Sequence, residues 1–292
     1  MLKQRILSGS LIISSLLFAG FYAPPVVIWL VLLAISSAGQ LEFYHMVNAG
    51  GIPVFRIMGV LSGAALISAT FWTAGPDAAD AVRAQNWETL ALLVSMIAVC
   101  VRQFPQKYND KPLATIGCTL LGIWYVPFLF NYATRLAFAW GGVGAHEPTV
   151  GRTGFLLAMY LVVVVKITDI GAFFTGMAFG RHKLFPRISP AKTWEGFFGG
   201  MATAVLASLV FCHLTHYQLG KVVFARHDAV ILGIILALSA VAGDLFESLL
   251  KRATGVKDSS AVVPGMGGVL DVIDSLLFGA PVLYYYVRFF VS

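Results

Sequence analysis

The stretch Ser248–Asp274, SLLKRATGVKDSSAVVPGMGGVLDVID, decides how this chain is read. It sets three cations (Lys251, Arg252, Lys257) beside three carboxylates (Asp258, Asp271, Asp274) and carries a PGMGG turn. The rest of the chain is apolar: 58% of its 292 residues are hydrophobic and 12% are charged. A charged side chain at membrane depth costs roughly 2.5–3.5 kcal/mol on insertion scales. A cluster of them therefore calls for a reason. Carboxylates that hold a metal, beside cations that hold phosphate, are one.

Working outward, apolar runs recur from end to end, and about 20 such residues cross ~30 Å of hydrocarbon. The runs predict helices over Leu7–Ala23, Val26–Tyr44, Val54–Trp72, Trp87–Val101, Ile116–Leu136, Phe155–Phe174, Phe197–Leu214, Ala229–Leu250 and Val269–Val287. The expected fold is all-α: a polytopic integral membrane bundle of about nine transmembrane helices, forming one domain over residues 1–292. Residues 1–150 supply packing and lipid-facing helices, and residues 155–290 the catalytic region. The runs are long and continuous, without the ten-residue alternation of a membrane barrel. Pro24-Pro25 separates the first two helices, because proline ends a helix and restrains the residue before it. The basic N-terminus before Ile6 resembles a signal peptide, but spans follow at once, so it reads as an uncleaved first helix.

Orientation follows from cation bias. With the N-terminus in the cytoplasm, that side holds Lys3, Arg5, Arg56, Arg102, Lys107, Lys111, Arg181, Lys183, Arg187, Lys192, Lys251, Arg252 and Lys257. The other side holds only Arg83, Arg135, Arg152, Lys221, Arg226 and Arg288. Both polar loops of interest, Phe179–Glu195 and Lys251–Gly268, then face the cytoplasm. The net charge of +6 fits such loops and does not point to nucleic acid. Cys100, Cys118 and Cys212 form no C-x-x-C and suggest neither a disulfide framework nor a zinc site. The six histidines lack metal-ligand grouping, and neither a Walker A loop nor a nucleophile elbow occurs.

Asp244 and Glu247 stand three apart near the end of the eighth helix, and Asp271 and Asp274 repeat that spacing at the start of the last. Residues at i and i+3 share a helix face. If the two helices pack side by side, their carboxylates converge. Hard oxygen donors without His or Cys point to magnesium; the alternative is that the acids pair with Lys251, Arg252 or Lys257. Lys166 and Asp169, also three apart, read equally as an intramembrane ion pair or as part of a site. Gly171, Ala172, Gly176 and Gly180 suit close helix approach, within the chain or in a homodimer. Ser189, Lys192 and Thr193 at a helix entrance suit phosphate, although either hydroxyl could be a plain N-cap. Gly265, Gly267 and Gly268 permit positive φ and close approach to a ligand.

At these residues the sequence resembles the phosphatidate cytidylyltransferase (CDP-diacylglycerol synthase) family. The family's C-terminal signature runs S-x-x-K-R, four residues, K-D, then P-G-H-G-G and D-R-x-D. Ser248, Lys251, Arg252, Lys257, Asp258, Pro264, Gly265, Gly267, Gly268, Asp271 and Asp274 all match it. The GDLFES and ISPAKTWEGFFGG stretches also resemble the family, and the likeness covers roughly Lys166 to Ser275. Met266 stands in place of the usual His, and Val272 in place of the usual Arg. Met carries no charge and donates no strong hydrogen bond, so a phosphate contact made by that His would come from elsewhere.

The resemblance implies conversion of CTP and phosphatidate to CDP-diacylglycerol and pyrophosphate in a bacterial cytoplasmic membrane, with the active site facing the cytoplasm. It implies Mg2+ on Asp244, Asp271 and Asp274, with the number of cations left open. Lys251, Arg252 and Lys257 would bind triphosphate or lipid phosphate, and Asp258 would orient Lys257. Ser189, Lys192, Thr193 and the three turn glycines would contact substrate. The competing readings are another CTP-dependent lipid enzyme, a noncatalytic homologue and an ion-coupled transporter. A transporter often shows repeated halves, which are not evident here.

Overall fold

The computed structural model describes residues 23–75, 78–140, 151–256 and 267–291. The first expected helix, Leu7–Ala23, therefore lies almost wholly outside the described residues. The elements that follow are α1 (Pro25–Ala49), α2 (Arg56–Thr73), α3 (Ala78–Gln103), α4 (Pro112–Ile123), α5 (Leu129–Phe138), α6 (Arg152–Phe179), α7 (Trp194–Leu214), α8 (Arg226–Thr254) and α9 (Val269–Tyr286). A π-turn at Trp124–Phe128 joins α4 to α5, and another at Val287–Val291 follows α9. Among the described residues, eight helical stretches are long and apolar enough to cross a membrane, with Pro112–Phe138 counting as one. The protein is thus an all-α integral membrane protein.

Two small antiparallel ladders sit in connections: β1 (Lys183–Phe185) with β2 (Ser189–Thr193), and β3 (Gln218–Leu219) with β4 (Val222–Val223). The runs of apolar residues did not announce them.

Two helices depart from expectation for physical reasons. The α3 helix begins nine residues before Trp87, in the polar stretch AADAVRAQN. Alanine-rich sequence favours helix, and Asp80 and Arg83 pair at 3.2 Å one turn apart, yet hydropathy registers neither. Pro127 lies inside a continuous span; because proline removes one backbone donor, the ladder widens locally into the π-turn instead of breaking.

The chain divides into two units, the first comprising residues 1–151 and 253–273, the second residues 152–252 and 274–292. In the first unit Tyr44 is fully buried. Its hydroxyl donates to the Thr119 carbonyl at 2.8 Å, and Gln40 Nε2 donates to the Gly59 carbonyl at 2.9 Å. Gly59 and Gly122 leave the room for the Tyr44 ring that a side chain at either position would fill. A second buried polar group joins α2, α3 and α5. Arg135 makes a two-pronged pair with Glu88, and Asn131 Nδ2 donates to Thr70 Oγ1 at 2.7 Å. A third contact ties α1 to the start of α9, where the buried Glu42 carboxylate accepts from the Val269 N–H at 3.0 Å and the Leu270 N–H at 2.8 Å.

In the second unit α6 and α7 lie in tight contact along small residues. A Cβ on Gly200 would stand 2.9 Å from both the Thr168 carbonyl oxygen and Ala172 Cβ, and one on Gly196 would stand 2.8 Å from the Ala172 carbonyl oxygen. Ser208 on α7 meets the Tyr160 hydroxyl of α6 at 2.6 Å and donates to the Ala229 carbonyl of α8.

Candidate active site

The second unit gathers five charged side chains from four elements. Lys166 and Asp169 come from α6, Lys192 from β2, Asp244 from α8 and Asp274 from α9. Lys166 pairs with Asp169 at 3.5 Å, and Lys192 Nζ pairs with Asp244 Oδ2 at 2.8 Å. The Lys166, Asp169 and Asp244 charges all act on Asp274, and those of Lys192 and Asp244 act on Asp169.

Each element delivers its charge for a local reason. Thr193 is the N-cap of α7: its Oγ1 accepts from the Gly196 N–H at 3.1 Å. That cap ends β2 and fixes Lys192 one residue before the N-cap. The neighbouring turn is held by Glu195, whose carboxylate accepts from the backbone N–H groups of Arg181 and His182. Gly243 lets α8 approach α9, because a Cβ there would meet the Asp274 carbonyl oxygen and Ser275 Cα. Asp244 is therefore delivered beside the helix that carries Asp274.

The acids differ in surroundings. Asp274 is only 5% exposed. Its Oδ1 accepts from the Ser275 N–H at 2.5 Å and hydroxyl at 2.9 Å, leaving Oδ2 without a hydrogen-bond partner among the described residues. Asp244 is more open; its Oδ1 accepts from the Ser248 hydroxyl at 3.3 Å. Glu247 takes the ion-pair alternative, meeting Lys251 at 3.0 Å one turn along α8. Arg252 Nε donates to the Ile188 carbonyl at 3.4 Å, next to Ser189.

Asp271 belongs to the first unit. It occupies the third position of α9, and its Oδ2 accepts from the Gly268 N–H at 2.6 Å, the reciprocal arm of a capping box. Gly267 has φ +96°, and a Cβ there would collide with the Asp271 carboxylate. The positive φ expected of a glycine in this turn is found at Gly267, and what its missing side chain makes room for is the Asp271 carboxylate. Lys257, Asp258, Gly265 and Met266 lie outside the described residues.

Sequence reasoning left Lys166 and Asp169 undecided between an ion pair and a site. They are an ion pair, and they also stand beside Asp244 and Asp274. The structural role of Glu42 was missed; the one signal was a lone carboxylate within the apolar run of α1.

The donor set is chemically suited to a hard divalent cation: Asp244 and Asp274 offer only oxygen. Among the described residues no three His, Cys, Asp or Glu side chains form a ready-made metal group. Magnesium commonly binds through one or two carboxylates and completes its shell with water and substrate phosphate.

The cytidylyltransferase family model matches residues 3–290. The chain is 32% identical to a phosphatidate cytidylyltransferase of Haemophilus influenzae over 99% of both chains. It is 32% identical to one of a Synechocystis species over 97% of this chain and 96% of that protein. It is also 42% identical to one of Brucella suis over 184 residues, which is 60% of this chain and 64% of that protein. Matched over nearly its whole length by that family model and by these relatives, the chain belongs to the cytidylyltransferase family.

Proposed function

We propose that the protein is a magnesium-dependent phosphatidate cytidylyltransferase, converting CTP and phosphatidate to CDP-diacylglycerol and pyrophosphate. The observation that supports this reading is Lys192 held at 2.8 Å from Asp244, a cation suited to phosphate beside an acid suited to a hard metal ion. The near-full-length likeness to bacterial phosphatidate cytidylyltransferases supports the substrates.

A phosphate oxygen of phosphatidate attacks the α-phosphorus of CTP. The bond from that phosphorus to the α–β bridging oxygen breaks, and pyrophosphate leaves with the electron pair. No protein nucleophile is needed, because transfer of this kind is catalysed by positioning and charge neutralisation. Both reactants are anions, so the work of the chain is to hold them together. Lys192 exchanges Asp244 for a substrate phosphate, while Lys251, Arg252 and Lys257 take the remaining phosphate charge. Asp244, Asp274 and Asp271 would hold Mg2+, with room in the acid count for a second cation. When bound, the metal neutralises phosphate charge and favours pyrophosphate departure. Ser189 and the turn glycines Gly265, Gly267 and Gly268 would contact substrate, and Asp258 would orient Lys257, as the family signature implies. Thr193 acts by capping α7 beneath Lys192.

The cation bias supports an N-terminus in the cytoplasm and a site opening to that side of a bacterial inner membrane, where CTP is available.

The test is incubation of the purified protein in detergent–lipid micelles with phosphatidate, labelled CTP and Mg2+, with Asp244→Asn and Asp271→Asn in parallel. Labelled CDP-diacylglycerol from the parent alone, lost with a chelator and restored by Mg2+, is the expected result. A folded parent that yields no product, or an Asp244→Asn variant as active as the parent, refutes the assignment.

A further inference from the structure

Within the second unit, Lys166, Asp244 and Asp274 are the innermost charges of α6, α8 and α9. From each of them to the far end of its helix, over residues 153–165, 229–243 and 275–286, no Asp, Glu, Lys or Arg occurs. On α6 residues 155–165 are apolar without a break. The three side chains thus mark the level at which the charged site gives way to apolar helix, and of the three Lys166 alone is a cation.

Lys192 stands at another level. Thr203 Oγ1 donates to the Ile167 carbonyl at 3.4 Å, so the turn of α6 that carries Lys166 is level with Thr203. Gly176, nearer the β1–β2 hairpin, is level with Thr193: a Cβ there would stand 3.2 Å from Thr193 Oγ1. From Thr193 to Thr203 the chain of α7 rises about 15 Å. The backbone of Lys192 is therefore at the rim of the charged cluster and that of Lys166 at its apolar floor. The two lysines meet their acids from opposite ends, Lys192 at Asp244 and Lys166 at Asp169.

The two substrates differ in the same sense. A triphosphate is wholly polar and arrives from water. A lipid phosphate is tied through glycerol to acyl chains, which need apolar surface beside the cation. A lysine suits that boundary, because its stem lies along apolar groups while its ammonium meets charge. Asp169 does not close Lys166 off. Their 3.5 Å separation exceeds the ~2.7–2.9 Å of a tight charge-assisted bond, and the side chains are 30% and 38% exposed, so a phosphate oxygen can reach the ammonium.

We propose that Lys166 binds the phosphate of the lipid substrate, leaving Lys192 to the triphosphate. The inference deepens the cytidylyltransferase reading given above and rests on it. A mere counter-ion of Asp169 would not distinguish one substrate from the other.

The experiment uses the full chain in detergent–lipid micelles with Mg2+, varying the mole fraction of phosphatidate at saturating CTP and then CTP at saturating phosphatidate. Lys166→Met should raise KM for phosphatidate by about tenfold or more, as expected for a lost bond to a charged group, and leave KM for CTP as in the parent. Lys166→Arg keeps the charge and should restore most of the phosphatidate affinity. A second readout needs no turnover. With a chelator and without CTP, phosphatidate should raise the unfolding temperature of the parent above that in diacylglycerol, and Lys166→Met should lose this gain. Should Lys166→Met fail to fold, Lys166→Met/Asp169→Asn removes one charge of each sign and is read in the same way. A folded variant with the parental KM for phosphatidate, or with both constants raised alike, overturns the proposal alone. A folded parent that makes no CDP-diacylglycerol overturns the cytidylyltransferase reading and this proposal with it.

Discussion

Replacing Lys192 with Met separates the two roles that its contact with Asp244 could have. The substitution keeps the apolar stem and removes the charge. The pair is short, at 2.8 Å, but its side chains are 22% and 37% exposed, so water and salt screen it. Ion pairs of that exposure contribute about 0.2–1 kcal/mol to stability, and Asp244 left alone can turn to solvent. Unfolding of Lys192→Met should therefore match the parent to within about 1 kcal/mol. The transition state is another matter, because a fixed cation facing phosphate charge in a partly dehydrated site is worth far more. By analogy with the loss of one electrostatic donor, turnover should fall about 10²–10³-fold, or ~2.7–4 kcal/mol. The assay is transfer of labelled cytidylyl groups to phosphatidate, with thermal unfolding followed by tryptophan fluorescence on the same preparation. If activity falls only as far as the folded fraction falls, Lys192 is a structural partner of Asp244 and the phosphate role is wrong. Parental activity in Lys192→Met would refute it more directly.

Asp274→Asn keeps the acceptor for Ser275 and the side-chain shape, so it should fold like the parent yet lose activity by at least about 10²-fold; label transfer and unfolding on one sample check both. Glu88→Leu should destabilise by about 3–5 kcal/mol, because it leaves a buried guanidinium without its carboxylate, whereas the Glu88→Leu/Arg135→Leu double variant should recover most of that loss in unfolding measurements. Gly59→Ala drives a methyl group into the Tyr44 ring and should cost about 1–3 kcal/mol, with Tyr44→Leu in the same background relieving the clash; strictly additive losses would show that the two positions do not meet.

The sequence was most informative where chemistry and hydropathy coincide. Continuous apolar runs marked each described span, because a helix crossing lipid must be apolar over about 20 residues. The polar start of α3 was hidden for the same reason. The i, i+3 acids on α8 and α9 were legible as pairs, since that spacing is a local property of a helix. Which cation each acid meets was not. Lys192 reaches Asp244 through the β1–β2 hairpin and a helix cap, and that long-range register leaves no periodic trace. The divergent fates of Asp244 and Glu247, one facing Lys192 and the other Lys251, depend on side-chain direction as well as spacing. Glu42 was hidden because its partners are backbone N–H groups, which every residue type except proline provides.

The close contact between α6 and α7 bears on how sequence variation in relatives should be interpreted. Gly171, Gly196, Gly199 and Gly200 each face an atom of the other helix that an added methyl group would strike. These positions lie within a few residues of Lys166, Asp169 and Lys192, so intolerance to substitution around those charges would have two sources. Invariance there is a compound signal, one part recording chemistry and the other recording the closeness of two backbones. A saturation-mutagenesis map scored for both membrane abundance and turnover would resolve it. The glycines would fail in abundance and the charged residues in turnover alone.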